Sequence, residues 1–139
     1  MIASIKYPRH RLRLMHIVAR AACFPTEDRE KVRRALLNLF PEGEVEEHED
    51  VIIVRTESGE RLRQLIIDHH IRDTARSMML CGRSGRVSSF KLNKQVAYVN
   101  KISFVEGSPA LGAIDIEVED EDIDAAIDYL AESTVEVRQ

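Results

Sequence analysis

Ile114-Asp115-Ile116-Glu117-Val118-Glu119, then Asp120-Glu121-Asp122, then Ile123-Asp124-Ala125-Ala126-Ile127-Asp128-Tyr129-Leu130: across this stretch the hydrophobic period changes from two to about 3.6. The first six residues set apolar side chains on one face and carboxylates on the other, as in a strand with one wet face. Asp122 stands where a helix N-cap is expected, and Ile123, Ala126, Ile127 and Leu130 recur as a single apolar stripe. A strand that is dry on one side only needs a second layer over that side, and the amphipathic helix after it supplies one.

The same alternation of strand and helix signals extends towards the N-terminus. Leu14 to Cys23 reads as a strand ended by Pro25. Thr26 is the expected N-cap of a helix with Glu27 and Asp28 in its first turn and with Val32, Ala35, Leu36, Leu39 and Phe40 at helical spacing. Pro41 and Gly43 end it. Glu44 to His48 and Val51 to Glu57 flank Glu49 and Asp50 as a hairpin. Two helices follow Gly59, with a break near Ile71 to Asp73, Asp73 as the expected second cap, and an end before Gly82. Val87 to Leu92 and Ile102 to Val105 read as strands, while Asn93 to Asn100 fits either a short helix or a hairpin return. Short turns between successive strands predict an α+β fold of two layers, a mainly antiparallel sheet with helices packed on one face.

A length of 139 residues, 44% hydrophobic and 32% charged, suits one domain with one core. Residues 15–139 are expected to form it, with 1–14 as a basic tail carrying Lys6, Arg9, Arg11 and Arg13. Met15 follows that tail at once, so translation starting at Met15 is an open alternative. Apolar runs are far shorter than the roughly 18 residues a spanning helix needs, and no secretory pattern is present, so a cytoplasmic protein without a membrane partner is expected. Cys23 and Cys81 match neither a disulfide framework nor a zinc spacing.

The net charge of −4 conceals a strong asymmetry. Residues 72–101 carry seven basic side chains and one acidic, whereas residues 102–139 carry one basic and eleven acidic. An acidic protein can still bind a polyanion locally if such a block forms a surface. The candidate phosphate contacts are Arg72, Arg76, Arg83, Arg86, Lys91, Lys94 and Lys101. Tyr98 is the candidate ring for stacking on a base, and Phe90 and Phe104 are expected in the core.

Other chemistry has less support. His69 and His70 adjoin Asp68, but neighbours on a helix point about 100° apart and do not converge on one ion. Gly82-Arg83-Ser84-Gly85-Arg86 lacks the frame of a nucleotide-hydrolysing loop and suits contact with a phosphate backbone better. Cys81 reads as a small residue closing a helix. The acidic run from Asp120 to Asp124 lacks the ligand spacing of a calcium loop. No catalytic residue, metal or cofactor is expected.

Several stretches together resemble a known family: Phe24-Pro25-Thr26-Glu27-Asp28, Asn38-Leu39-Phe40-Pro41, Arg72 through Gly82, Phe90-Lys91-Leu92-Asn93-Lys94-Gln95 with Ala97 and Tyr98, and Ser108-Pro109-Ala110-Leu111-Gly112. The chain from Met15 to Thr134 resembles uncharacterised protein family 0201, a set of small archaeal proteins. The resemblance implies a fold like that of the large-subunit ribosomal protein that binds 5S RNA, RNA as partner, and no assigned reaction. It also brings Asn93 and Gln95, both uncharged, into the candidate set beside Lys94. The first reading is therefore a non-catalytic RNA-binding protein. The alternatives are a protein-interaction or assembly subunit, whose segregated charges pair between subunits of a homo-oligomer or with a partner, and an enzyme acting on a nucleotide or phosphorylated metabolite.

Overall fold

The computed structural model describes residues 13–107 and 112–133. Lys6, Arg9 and Arg11 of the expected tail, and Ser108 to Leu111 of the family-like loop, lie outside the described residues. The elements, in chain order, are β1 (Leu14–Ala22), α1 (Arg29–Leu39), β2 (Glu44–Glu47), β3 (Val51–Ser58), α2 (Glu60–Asp68), α3 (Arg72–Cys81), β4 (Arg83–Ser84), β5 (Val87–Asn93), α4 (Lys94–Tyr98), β6 (Phe104–Val105), β7 (Ala113–Glu119) and α5 (Ile123–Leu130).

The strands form one antiparallel sheet in the order β2-β3-β1-β7-β5-β4, with β6 also pairing β5. Alternation in sequence becomes the two faces of this sheet. Met15, Ile17, Ala19 and Ala21 of β1 lie on the dry face with Ile52 and Val54, Ile114, Ile116 and Val118, and Phe90 and Leu92. The helices cover that face with Leu36, Leu39, Leu62, Leu65, Ile66, Met79, Ala126, Ile127 and Leu130. Asp115, Glu117 and Glu119 remain exposed on the other side, as the opening stretch predicts.

Most element boundaries match the expectations, and the differences have local causes. Asp28, not Thr26, caps α1, accepting a hydrogen bond from Glu30 N, and Glu27 turns inward instead. Asp73 lies inside the first turn of α3, whose N-cap is Ile71. The ambiguous segment is a short helix, because the Asn93 side chain accepts from Val96 N and so begins α4. The expected strand from Ile102 shrinks to β6. Asn93 N donates to Ser103 O just before it.

At Gly82 the backbone of α3's end meets β5 so closely that a Cβ would stand 1.8 Å from Ser89 O. Only glycine permits this approach, which lets Ser89 N donate to Gly82 O and seats the helix end on the strand. Cys81 closes α3 as expected but is exposed rather than packed away, while Cys23 is buried; both are free thiols.

Candidate nucleic-acid interface

The basic segment is not a face of free cations. Its cations fall on α3, the β4–β5 turn, β5, α4 and the chain after it, and several are matched by the acidic block that follows in sequence. Arg76 pairs with Asp128 and also donates to Ala131 O, and Arg83 pairs with Asp124. Lys91 lies opposite Asp115 in the β5–β7 register and donates to Gly107 O at 3.0 Å. The two blocks that are segregated along the chain thus interleave in the fold, since α3 packs on α5 and β5 on β7. Arg72, Arg86, Lys91 and Lys101 have no ion pair with a carboxylate among the described residues.

Lys94 has a different place. Its side chain is only 3% exposed, and its ammonium donates to Ala22 O at 2.8 Å and to Glu27 Oε1 at 3.0 Å, with the Phe24 ring centroid 5.1 Å away. Glu27, itself 17% exposed, also accepts from Phe24 N. A buried ammonium is costly unless paired and hydrogen-bonded, and here a carboxylate and a carbonyl supply both. Lys94 in this position cannot reach an outside phosphate. It holds the start of α4 against the segment joining β1 to α1.

Three of the segments that carry the family resemblance, around Phe24 to Asp28, Asn38 to Pro41 and Phe90 to Tyr98, meet at this corner with Gly112, whereas Arg72 through Gly82 lies on α3 against α5. Asn38 donates from Nδ2 to Ala97 O and Tyr98 O, at 2.9 and 3.0 Å, and satisfies carbonyls at the end of α4. Asn93 caps the other end. Gly112, at φ +83°, lies where a Cβ would be 3.6 Å from Lys94 Nζ and from the Phe24 ring. Thus Phe24, Glu27, Asn38, Asn93, Lys94 and Gly112, far apart in sequence, lock α1 and α4 together.

What this frame presents outward is Gln95, Tyr98, Val99, Asn100 and Lys101, all exposed. Tyr98 has 36% of its surface open, and Lys31 of α1 holds its ammonium 5.5 Å from the ring centroid. Arg34, also exposed, lies one helical turn beyond Lys31 and one before Asn38, so it shares the α1 face turned to α4. Between the helices is a cleft of about 240 Å³ lined by Glu27, Asp28, Lys31, Val32, Lys94, Gln95 and Tyr98. A wider depression on the wet face of the sheet, about 630 Å³, is lined by Glu42, Glu44, Glu57 and Glu119 along with His16 and Arg55. Its charge is wrong for a polyanion.

Lys31 and Arg34 are absent from the expected set. They lie in a stretch of net negative charge, and only the family-like segments at both ends of α1 pointed towards it. As for the histidines, His69 Nδ1 lies 2.9 Å from Leu65 O, and no three His, Cys, Asp or Glu side chains gather as a metal site among the described residues. No helix of the described residues is long and apolar enough to cross a membrane.

A family model described as RNA binding matches residues 16–119. A UPF0201 protein of Thermococcus onnurineus is 41% identical, over 82% of this chain and 89% of its own length. One from Methanothermobacter thermautotrophicus is 39% identical, over 76% and 83%. A UPF0200/UPF0201 protein of Archaeoglobus fulgidus is 35% identical over 89% of this chain, which spans only 39% of that longer relative. Among solved structures, an uncharacterised UPF0201 protein superposes with a TM-score of 0.80 at 35% identity, covering 89% of this chain and 98% of that one. The UPF0201 protein of Methanococcus jannaschii gives 0.79 at 31% identity, covering 86% and 95%. On the family-model match over residues 16–119 and these likenesses in sequence and structure, the chain belongs to uncharacterised protein family 0201.

Proposed function

We propose that this chain is a non-catalytic RNA-binding protein and that its contact surface is the α1–α4 corner. Gln95, Tyr98 and Lys101 of the expected set are joined there by Lys31 and Arg34. Arg86 adds exposed positive charge in the β4–β5 turn, and Arg72, half-buried, adds some at the start of α3. Arg76, Arg83 and Lys94 serve the fold instead.

The observation that carries this reading is the exposed Tyr98 ring with a lysine ammonium over it, on a corner whose other outward cations are unpaired among the described residues. Aromatic faces beside cations suit unpaired bases and their phosphates, and the RNA-binding description of the matching family model agrees. Rigid support matters as much as charge. The Lys94–Glu27 pair and the Asn38 and Asn93 hydrogen bonds fix α4, so its outward residues are presented without ordering a loop on binding.

The test is fluorescence anisotropy with labelled single-stranded and hairpin RNA across a salt series. On single strands the log-log slope should be about −0.7 per phosphate contacted. Replacing Lys31, Arg34 or Lys101 by Glu should each weaken binding and flatten that slope by roughly one contact, whereas Arg83→Glu should leave the slope unchanged. Absence of salt-sensitive binding at micromolar protein would refute the proposal.

A further inference from the structure

We infer that the cleft between α1 and α4 is a subsite for one unpaired nucleobase, seated against Tyr98 while its flanking phosphates run past Lys31, Arg34 and Lys101. This rests on the RNA reading above and adds to it the part of the RNA that is recognised. The volume, about 240 Å³, is below the roughly 300–1,000 Å³ of drug-sized ligand sites and suits a single planar heterocycle.

The lining decides between a base and a phosphate. Glu27 and Asp28 balance Lys31 and Lys94 in the wall, and the Lys94 ammonium is already held by Glu27 and Ala22 O, so the cleft offers a phosphate no net positive charge. A neutral base needs none. Val32, the Tyr98 ring and the hydrocarbon stems of Lys31 and Lys94 give it an apolar surface, and the Gln95 side chain brings one acceptor and two donors to its edge. Of the three N–H donors of Lys94, two go to Ala22 O and Glu27 Oε1, and the Phe24 ring centroid lies 5.1 Å from the ammonium.

Lys31 shows how the subsite stands before binding. Its ammonium, 5.5 Å from the Tyr98 centroid, covers a face on which a base would stack. A lysine is long and flexible, so the incoming base displaces the ammonium outward, where a phosphate receives it. A paired base cannot enter, because its neighbours in a helix hold it stacked. The recognised RNA is single-stranded at this point.

The experiment compares the full chain's affinity for three probes: a labelled ten-nucleotide RNA, an abasic ribose-phosphate strand of the same length, and AMP. Stacking is worth about 1–3 kcal/mol per base, so the abasic strand should bind roughly 5- to 150-fold more weakly, with a similar salt slope. Tyr98→Leu should bind both strands alike, while Tyr98→Phe should keep the preference, which separates loss of the ring from loss of the fold. Equal affinity of the wild-type chain for both strands, with salt-sensitive binding intact, overturns the subsite and leaves the RNA reading standing. An unaltered preference in Tyr98→Leu also overturns it. Saturable binding of AMP without binding of the RNA assigns the cleft to a mononucleotide and overturns the inference. Failure of every probe to bind removes both readings.

Discussion

Replacing Glu27 with Gln keeps the size and the acceptor oxygen but leaves the Lys94 ammonium buried without a counter-charge. The pair is dry enough for this to matter, with side chains 3% and 17% exposed and a 3.0 Å contact. Removing one partner of a buried pair costs about 3–5 kcal/mol, and the retained amide acceptor places Glu27→Gln near 3 kcal/mol. Against a total stability of about 5–15 kcal/mol, that is a large fraction. For a domain of this size it lowers Tm by roughly 10–15 °C. Lys94→Met removes the cation and fits an apolar surround that includes Phe24, so the double variant Glu27→Gln/Lys94→Met should be more stable than Glu27→Gln alone. Urea unfolding followed by circular dichroism, run as a double-mutant cycle, measures the coupling, expected at about 1–3 kcal/mol. A loss below about 1 kcal/mol in Glu27→Gln, additive with Lys94→Met, would refute the claim that this pair clamps α4.

Asn93→Ala should cost about 0.5–2 kcal/mol through loss of the α4 cap, whereas Asn93→Ser or Asn93→Asp should retain most of the stability; thermal melts of the three variants check this. Tyr129 has its pKa raised above 10.0, first by burial, with Arg63 acting in the opposite direction. Its neutral form is favoured in the fold, so this contribution is full below pH 10 and is lost as pH rises through the raised value. Tyr129→Phe should therefore shift the alkaline unfolding midpoint upward, as read by pH-dependent circular dichroism.

The fold was legible where periodicity was long. Ile114 to Leu130 announced both layers, and alternating residues in Leu14 to Cys23 placed β1 correctly, because burial of one face leaves an unmistakable mark on neighbours two or four apart. Caps were less legible: Thr26 and Asp28 both suit an N-cap, and the choice fell to Glu27, which is drawn inward by a lysine far away in sequence. The candidate site was legible in part. Tyr98, Gln95 and Lys101 lie on the corner, but Lys31 and Arg34 do so only because α1 packs on α4, a contact that local charge counts do not contain. Lys94 illustrates the converse. A lysine among lysines and arginines reads as surface charge until the structure shows it at 3% exposure. Asn93 and Gln95, adjacent to it and equally uncharged, have separate tasks, one capping the helix and the other facing outward.

The central place of β1 has a consequence in time. Its residues pair on one side with Val51–Ser58 and on the other with Ala113–Glu119, so its second row of partners is roughly a hundred residues downstream. At about 5–20 residues per second, synthesis needs roughly 3–12 s to pass from β3 to the end of β7. Through that interval a nascent chain holding β1 against β3 has one bare backbone edge in the middle of its future sheet, open to strand addition. Formation of the β7 strand, with its row of carboxylates on the wet side, closes that edge and ends the period of greatest exposure to mispairing.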